Sequence, residues 1–205
     1  MIYFAVGGEP LTDGRADVAS LQLTSTPVQG CQVIWSDQFR DFRGYFAETF
    51  NRKDFLNAKL PVEWPQDNIS NSEAFVLRGL HIQRNNPQGK LVRCVKGTIY
   101  DVCLDLRPDS PTFLKYHMQM LHGGGSMYCP PGTAHGFLAM VPRTIVYYKC
   151  TSIYDVESDG GVNPLDPELK IPWPCTSPVL SEKDRHLPTL REWLEDQRGL
   201  SNVRP

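Results

Sequence analysis

"LKYHMQM", Leu114–Met120, decides the fold: Leu114, Tyr116, Met118 and Met120 fall on one side of an extended chain, and Lys115, His117 and Gln119 on the other. A period of two marks a half-buried strand, because successive side chains of a strand point to opposite faces. Upstream, "GTIYDVCLDLR" repeats the pattern, with Tyr100, Val102, Leu104 and Leu106 alternating with Ile99, Asp101, Cys103 and Asp105. Gly97 offers a turn between that run and "KLVRCV", which predicts a hairpin. Further strands are expected in "CQVIWS", "GYFAETF", "SMYC", "GFLAM" and "TIVYYKC". Between them "HGGG", "PPGT" and "VPR" supply the backbone freedom or fixed φ that turns require.

Many short strands at close spacing, with 16 Gly and 17 Pro and little helical periodicity, favour an all-β jelly-roll (cupin-like) barrel over an α/β fold. Helix is expected in two short peripheral places. One is "NRKDFLNAK", capped by Asn51; the other is the C-terminal "LPTLREWLEDQRG", where Leu190, Trp193 and Leu194 mark one face and Gly199 a stop. Residues 1–23 lack alternation and read as an appended N-terminal arm. Residues 24–205 then form a single jelly-roll domain.

With 205 residues, 40% of them hydrophobic, the chain can bury a substantial core. Its 21 basic residues are balanced by 23 acidic ones and no basic run stands out, which argues against nucleic acid as a partner. The start, "MIYFAVGGEP", has no positive n-region, and no apolar run approaches the roughly 18 residues of a membrane span. A cytoplasmic protein with no membrane partner is expected. The six cysteines form no C-x-x-C pair and lie mostly in strand-like runs, so they read as reduced core thiols.

Against this apolar background, "VLRGLHIQRNNPQGKLVR", Val76–Arg93, carries Arg78, His81, Gln83 and Lys90. A barrel encloses a cavity, and each unpaired polar group turned into it costs on the order of 1–3 kcal/mol, so inward polarity needs a reason. Arg43, Gln66, Asn68, His135, Tyr148 and Asp184 are further candidates. By spacing alone each also fits a structural role, since a single strand histidine is more often a satisfied core or surface residue. A metal site of the cupin kind wants H-x-H and a nearby Glu, because alternate strand residues converge on one ion. The position two after His81 is Gln83, and no Glu lies between it and Cys129, so no metal is expected.

Seven blocks in order, "FRDFRGYFAETF", "QDNISNSEAFVLRGLHIQ", "PQGKLVRCVKGTIYDVCLDLRPDSPTF", "PPGTAHGF", "YYKCTSIY", "DPELKIPWP" and "LSEKD", closely resemble the dTDP-4-dehydrorhamnose 3,5-epimerase family, from about Thr24 to Pro188. The resemblance implies an isomerase of deoxysugar biosynthesis that inverts C3, C5 or both of a nucleotide-linked 4-keto-6-deoxyhexose without any cofactor. It implies His81 as base, Asp184 as the carboxylate paired with it, Lys90 as the cation at the enolate oxygen and Tyr148 as the acid. Arg78 matches a diphosphate contact, and Arg43, Phe46, Glu48, Gln66 and Asn68 match nucleotide-contacting positions. His135, Asp159 and Lys183 fall on further substrate positions.

The family's homodimer lets some of these residues come from the neighbouring subunit. Departures from the family pattern are Leu114 and Thr133 at usual Gly and Phe positions, "NPLD" for "WND", and Asp159 for Glu. A 3,5-epimerase acting on dTDP-4-dehydro-6-deoxyglucose is the leading expectation, beside a single-site 3- or 5-epimerase on a dTDP- or CDP-sugar. A metal-dependent cupin enzyme and a non-catalytic sugar-binding jelly roll are the alternatives outside the class.

Overall fold

The computed structural model describes residues 21–201. In chain order the elements begin with β1 (Leu21–Ser25), β2 (Gln32–Ser36), the hairpin β3 (Phe39–Asp41) and β4 (Gly44–Phe46), and helix α1 (Arg52–Asn57). They continue through β5 (Gln66–Ser72), β6 (Leu77–Gln83), β7 (Lys90–Lys96), β8 (Thr98–Asp105), β9 (Tyr116–His122) and β10 (Ser126–Cys129). The chain ends with β11 (Thr133–Ala139), β12 (Thr144–Cys150), β13 (Asp159–Gly161), α2 (Glu182–Arg185) and α3 (Leu190–Ser201). The strands form a six-stranded sheet, β1-β2-β10-β7-β12-β5, a five-stranded sheet, β13-β6-β11-β8-β9, and the separate β3-β4 ribbon. Every pairing between named strands is antiparallel, as the expected jelly roll requires.

Both main sheets are covered on both faces. Val92, Cys94 and Val146 of the six-stranded sheet meet Ile99, Cys103, Leu121 and Phe137 of the five-stranded sheet in a shared core. The outer face of the five-stranded sheet packs Leu80, Val102 and Leu104 against Leu190 and Trp193 of α3. On the far side, Phe55 of α1 and Leu60 cover Ile34 and Leu91. Each fully buried side chain of this kind contributes about 1.5–3 kcal/mol relative to exposure, so α1 and α3 are tied down by packing more than by helix propensity. Capping assists: Asn51 accepts the Lys53 N–H at 3.0 Å. Thr189 and Glu192 form a capping box, with Glu192 Oε2 accepting the Thr189 N–H at 2.8 Å.

Four sequence expectations need correction. β7 and β8 are not a hairpin: they lie in different sheets. Gly97, at φ 88° and close enough to Thr144 that a Cβ would sit 2.4 Å from its Oγ1, turns the chain from one sheet to the other. The strand containing Tyr116 begins at Tyr116; Leu114 precedes it at φ 63°. Its Tyr116–Met118 face packs outward beside α3, whereas Leu121, on the face of His117 and Gln119, enters the core between the sheets. Of the segment expected as an arm, residues 1–23, Leu21–Leu23 pair with β2, and residues 1–20 lie outside the described residues. Gly199 does not stop α3, which runs on to Ser201. Among the described residues no helix is long and apolar enough to cross a membrane.

Candidate active site

Register alone aligns much of the site. On the inner face of the six-stranded sheet, Gln66, Cys150 and Lys90 form one cross-strand row and Asn68, Tyr148 and Val92 the next. Directly opposed residues of a sheet share a face, so Gln66, Asn68, Lys90 and Tyr148 all turn into the open end of the barrel. Across from them β6 presents His81 and Gln83, with Asp159 of β13 opposite Gln83. These side chains, with Tyr154 and Lys183, enclose a cleft of about 280 Å³.

A bulge brings Arg78 to the same side as His81. Residues three apart on a regular strand face opposite ways. Here His135 and Phe137 of β11 oppose His81 and Arg78, so β6 spends three steps where β11 spends two. Two glycines make the close approach possible: a Cβ on Gly79, which sits at φ 121°, would lie 2.5 Å from the Gly136 Cα, and one on Gly136 would lie 2.6 Å from the Arg78 carbonyl oxygen. Arg78 then reaches the rim, where its Nε donates to Ser72 Oγ at 3.0 Å.

His81 Nε2 lies 2.6 Å from Asp184 Oδ1. Asp184 is delivered by α2, whose cap Ser181 accepts the Asp184 N–H at 3.1 Å. Burial works to raise the Asp184 pKa, but hydrogen bonds from His81, Ser181 and the Gly79 N–H outweigh it and hold the carboxylate below its ordinary range. The other ring nitrogen, His81 Nδ1, has no hydrogen-bond partner among the described residues. Neither does Lys90 Nζ nor Tyr148 Oη, although all three belong to side chains that line the cleft.

Burial pushes the Lys90 ammonium below its ordinary pKa, opposed by the fields of Cys150, Cys129, Asp159 and Asp101. Burial likewise raises the Tyr148 phenol, so it keeps its proton at neutral pH. At the rim Asp159 forms an ion pair with Lys183 and accepts the Tyr154 hydroxyl at 2.7 Å. Burial would raise Asp159, yet these two partners hold it low.

The expected residues therefore divide. His81, Lys90, Tyr148, Asp184, Gln66, Asn68, Asp159 and Lys183 come together, and Arg78 stands at the edge. His135 is buried behind the cleft, where its Nε2 meets Asp101 Oδ1 at 2.7 Å. Arg43 and Phe46 lie on the β3-β4 ribbon with Phe46 66% exposed, and neither they nor Glu48 line the cleft. Gln83 is scaffold: its Nε2 donates to Asn86 O at 2.9 Å and its Oε1 accepts the Asp155 N–H at 2.8 Å, which fastens the loop after β12.

Two contributors escaped the sequence reading. Tyr154 and Gln88 both line the cleft, and Tyr154 donates its backbone N–H to Gln66 Oε1 at 2.6 Å. Tyr154 sits in an irregular stretch with no period to flag it. Among the described residues no three His, Cys, Asp or Glu side chains converge as metal ligands.

Fold and site together define a class: a jelly-roll barrel with acid/base groups on both walls of one open end. The chain belongs to the dTDP-4-dehydrorhamnose 3,5-epimerase family, whose sequence model matches residues 25–192. It is 43% identical over 180 residues to the dTDP-4-dehydrorhamnose 3,5-epimerase of Methanothermobacter thermautotrophicus, covering 85% of this chain and 97% of that one. The crystal structure of the Bacillus anthracis enzyme with TDP and pyrophosphate superposes with a TM-score of 0.81 at 42% identity, over 83% of this chain and all of that one. The dTDP-6-deoxy-D-glucose-3,5-epimerase of Legionella pneumophila, in complex with dTDP-4-keto-L-rhamnose, matches with a TM-score of 0.80 at 35% identity, over 84% of this chain and 94% of that one.

Proposed function

We propose that this protein inverts C3 and C5 of dTDP-4-dehydro-6-deoxyglucose by proton removal and return. The 4-keto group acidifies the hydrogens on both flanking carbons. His81 takes one of them, and Asp184 stabilises the imidazolium that forms. The electron pair moves into the carbonyl to give an enolate, whose oxygen the Lys90 ammonium meets. Tyr148 then donates its phenolic proton to the opposite face of the carbon, and solvent restores both groups.

One observation carries this reading. His81 belongs to one sheet and Tyr148 to the other, so base and acid stand on opposite walls of a single cleft. Inversion needs a proton returned to the face opposite the one it left; return from the same side restores the starting configuration. Arg78, Gln66, Asn68, Asp159 and Lys183 serve the nucleotide-linked part of the substrate and the rim.

The protein acts as a cytoplasmic homodimer in this reading. Arg43, Phe46 and Glu48 lie away from their own cleft, and the exposed Phe42 and Phe46 suit a ribbon that reaches into a neighbour's site. The test is incubation with dTDP-4-dehydro-6-deoxyglucose in D₂O, followed by NMR. Deuterium at both C3 and C5 of the inverted product is expected; deuterium at one carbon alone would make the protein a single-site epimerase.

A further inference from the structure

Asp101 of β8 is fully buried, and only one of its carboxylate oxygens is satisfied. Oδ1 accepts the His135 Nε2–H at 2.7 Å, whereas Oδ2 has no hydrogen-bond partner among the described residues. A carboxylate at that depth stays ionised only where a cation compensates it. The sequence offered no reason to single it out, since it occupies an ordinary place in an alternating strand.

Asp101 lies between Ile99 and Cys103 on the face of β8 turned to the shared core, and Lys90, on the face of Val92 and Cys94, turns to the same space from the opposite sheet, without an ion pair among the described residues. Burial disfavours the charged form of both groups, lowering Lys90 and raising Asp101, and each field opposes that loss in the other. The other groups that face Lys90 are already committed or neutral. Asp159 is paired with Lys183 and Tyr154. Burial pushes the Cys129 and Cys150 thiols up, and the Tyr148 phenol with them. Asp101 itself is faced by His135 and Lys90, whose fields favour its charge, and by Cys31, whose field opposes it. His135 satisfies Oδ1 alone, so the field of the buried carboxylate remains to act on the Lys90 ammonium.

We propose that Asp101 is a positioning residue for the reaction: fixed by His135, it is the buried counter-charge that keeps the Lys90 ammonium protonated for the enolate oxygen. This rests on the reading of Lys90 given above, and the two can be separated.

The experiment follows the Lys90 side-chain resonances, labelled with ¹³C and ¹⁵N and assigned through Lys90→Arg, as pH is raised in wild type and in Asp101→Asn. Asparagine keeps an acceptor for His135 and removes the charge. The Lys90 midpoint is expected to fall by about one pH unit or more, and the alkaline limb of kcat/KM to fall with it. An unmoved Lys90 midpoint overturns the proposal. A lowered midpoint with an unmoved rate limb upholds the counter-charge and removes Lys90 from the chemistry, which overturns the functional reading alone. Should Asp101→Asn not fold, the reciprocal measurement decides: in Lys90→Met the Asp101 carboxyl carbon must titrate at higher pH than in wild type, and identical titration overturns the proposal.

Discussion

His81 Nε2 and Asp184 Oδ1 meet at 2.6 Å although 103 residues separate them in the chain. Asp184 is 4% exposed and His81 31%, so the carboxylate is sealed while the imidazole keeps one edge on the cleft. A buried partner of this kind fixes the ring and stabilises its protonated form. His81→Ala is therefore expected to abolish deuterium uptake from D₂O, a loss of about 10²–10⁴-fold, and Asp184→Asn to slow it by less. Exchange by His81→Ala at the wild-type rate would remove His81 from the role of base.

Tyr148→Phe separates acid from base. The ring still packs on the shared core, but the proton on that wall is gone. Abstraction by His81 continues, and the enolate is reprotonated from the side it left. Deuterium should enter the substrate while little inverted product accumulates, with the two read from one NMR time course. Full inversion by this variant would assign the acid elsewhere, with Tyr154 as the first candidate.

Mixing two inactive proteins tests the shared site. If the β3-β4 ribbon serves the neighbouring cleft, a dimer of one Arg43→Ala and one His81→Ala subunit contains one intact site and one doubly damaged site. Random exchange of subunits then restores roughly a quarter of wild-type activity, because half of the dimers are mixed. No recovery after verified exchange would place Arg43 in its own subunit's site or outside the site.

Asp105 gives a pH dependence with a definite sign. Burial works to raise its pKa, but Arg107, Ser110 and Thr112 outweigh it and lower the carboxyl from 3.8 to about 2. A folded-state pKa below the unfolded one contributes stability that is present above the unfolded value and lost as pH falls through the folded one. Its size is roughly 2 kcal/mol. Asp105→Asn should lower Tm at pH 7, and the gap to wild type should close between about pH 4 and 2. A gap independent of pH would mean that the charge contributes nothing.

Gly79→Ala probes the bulge. The added methyl meets backbone on the next strand and cannot be accommodated by a rotamer change. A stability loss of about 1–3 kcal/mol is expected, with a fall in kcat larger than global unfolding explains, because His81 moves with the strand. Wild-type Tm and kcat together would show that the glycine contact does not set the histidine.

The alternating pattern told which residues share a face but not which sheet a strand joins. Ile99, Asp101 and Cys103 do lie on one face, yet their strand pairs with β9 and β11 and not with β7, because the turn at Gly97 is equally compatible with a hairpin and with a crossing between sheets. His81, Lys90, Tyr148 and Asp184 are marked out by the family resemblance and not by their spacing, and the fold brings them together at one cleft. Tyr154 and Asp101 are not so marked. One lies in an irregular loop, and the other is buried as deeply as Ile99, Val102 and Cys103 around it because both faces of β8 are covered, which no local alternation records.

Because His81 hangs from one sheet and Tyr148 from the other, the distance between them is a thickness, gauged by the side chains wedged between the sheets. Val92, Ile99, Cys103 and Phe137 are the spacers of that gauge. Trimming one of them leaves every reacting group in place and changes the span the sugar ring must bridge. Turnover in this protein should therefore register a loosened interior well before the fold gives way.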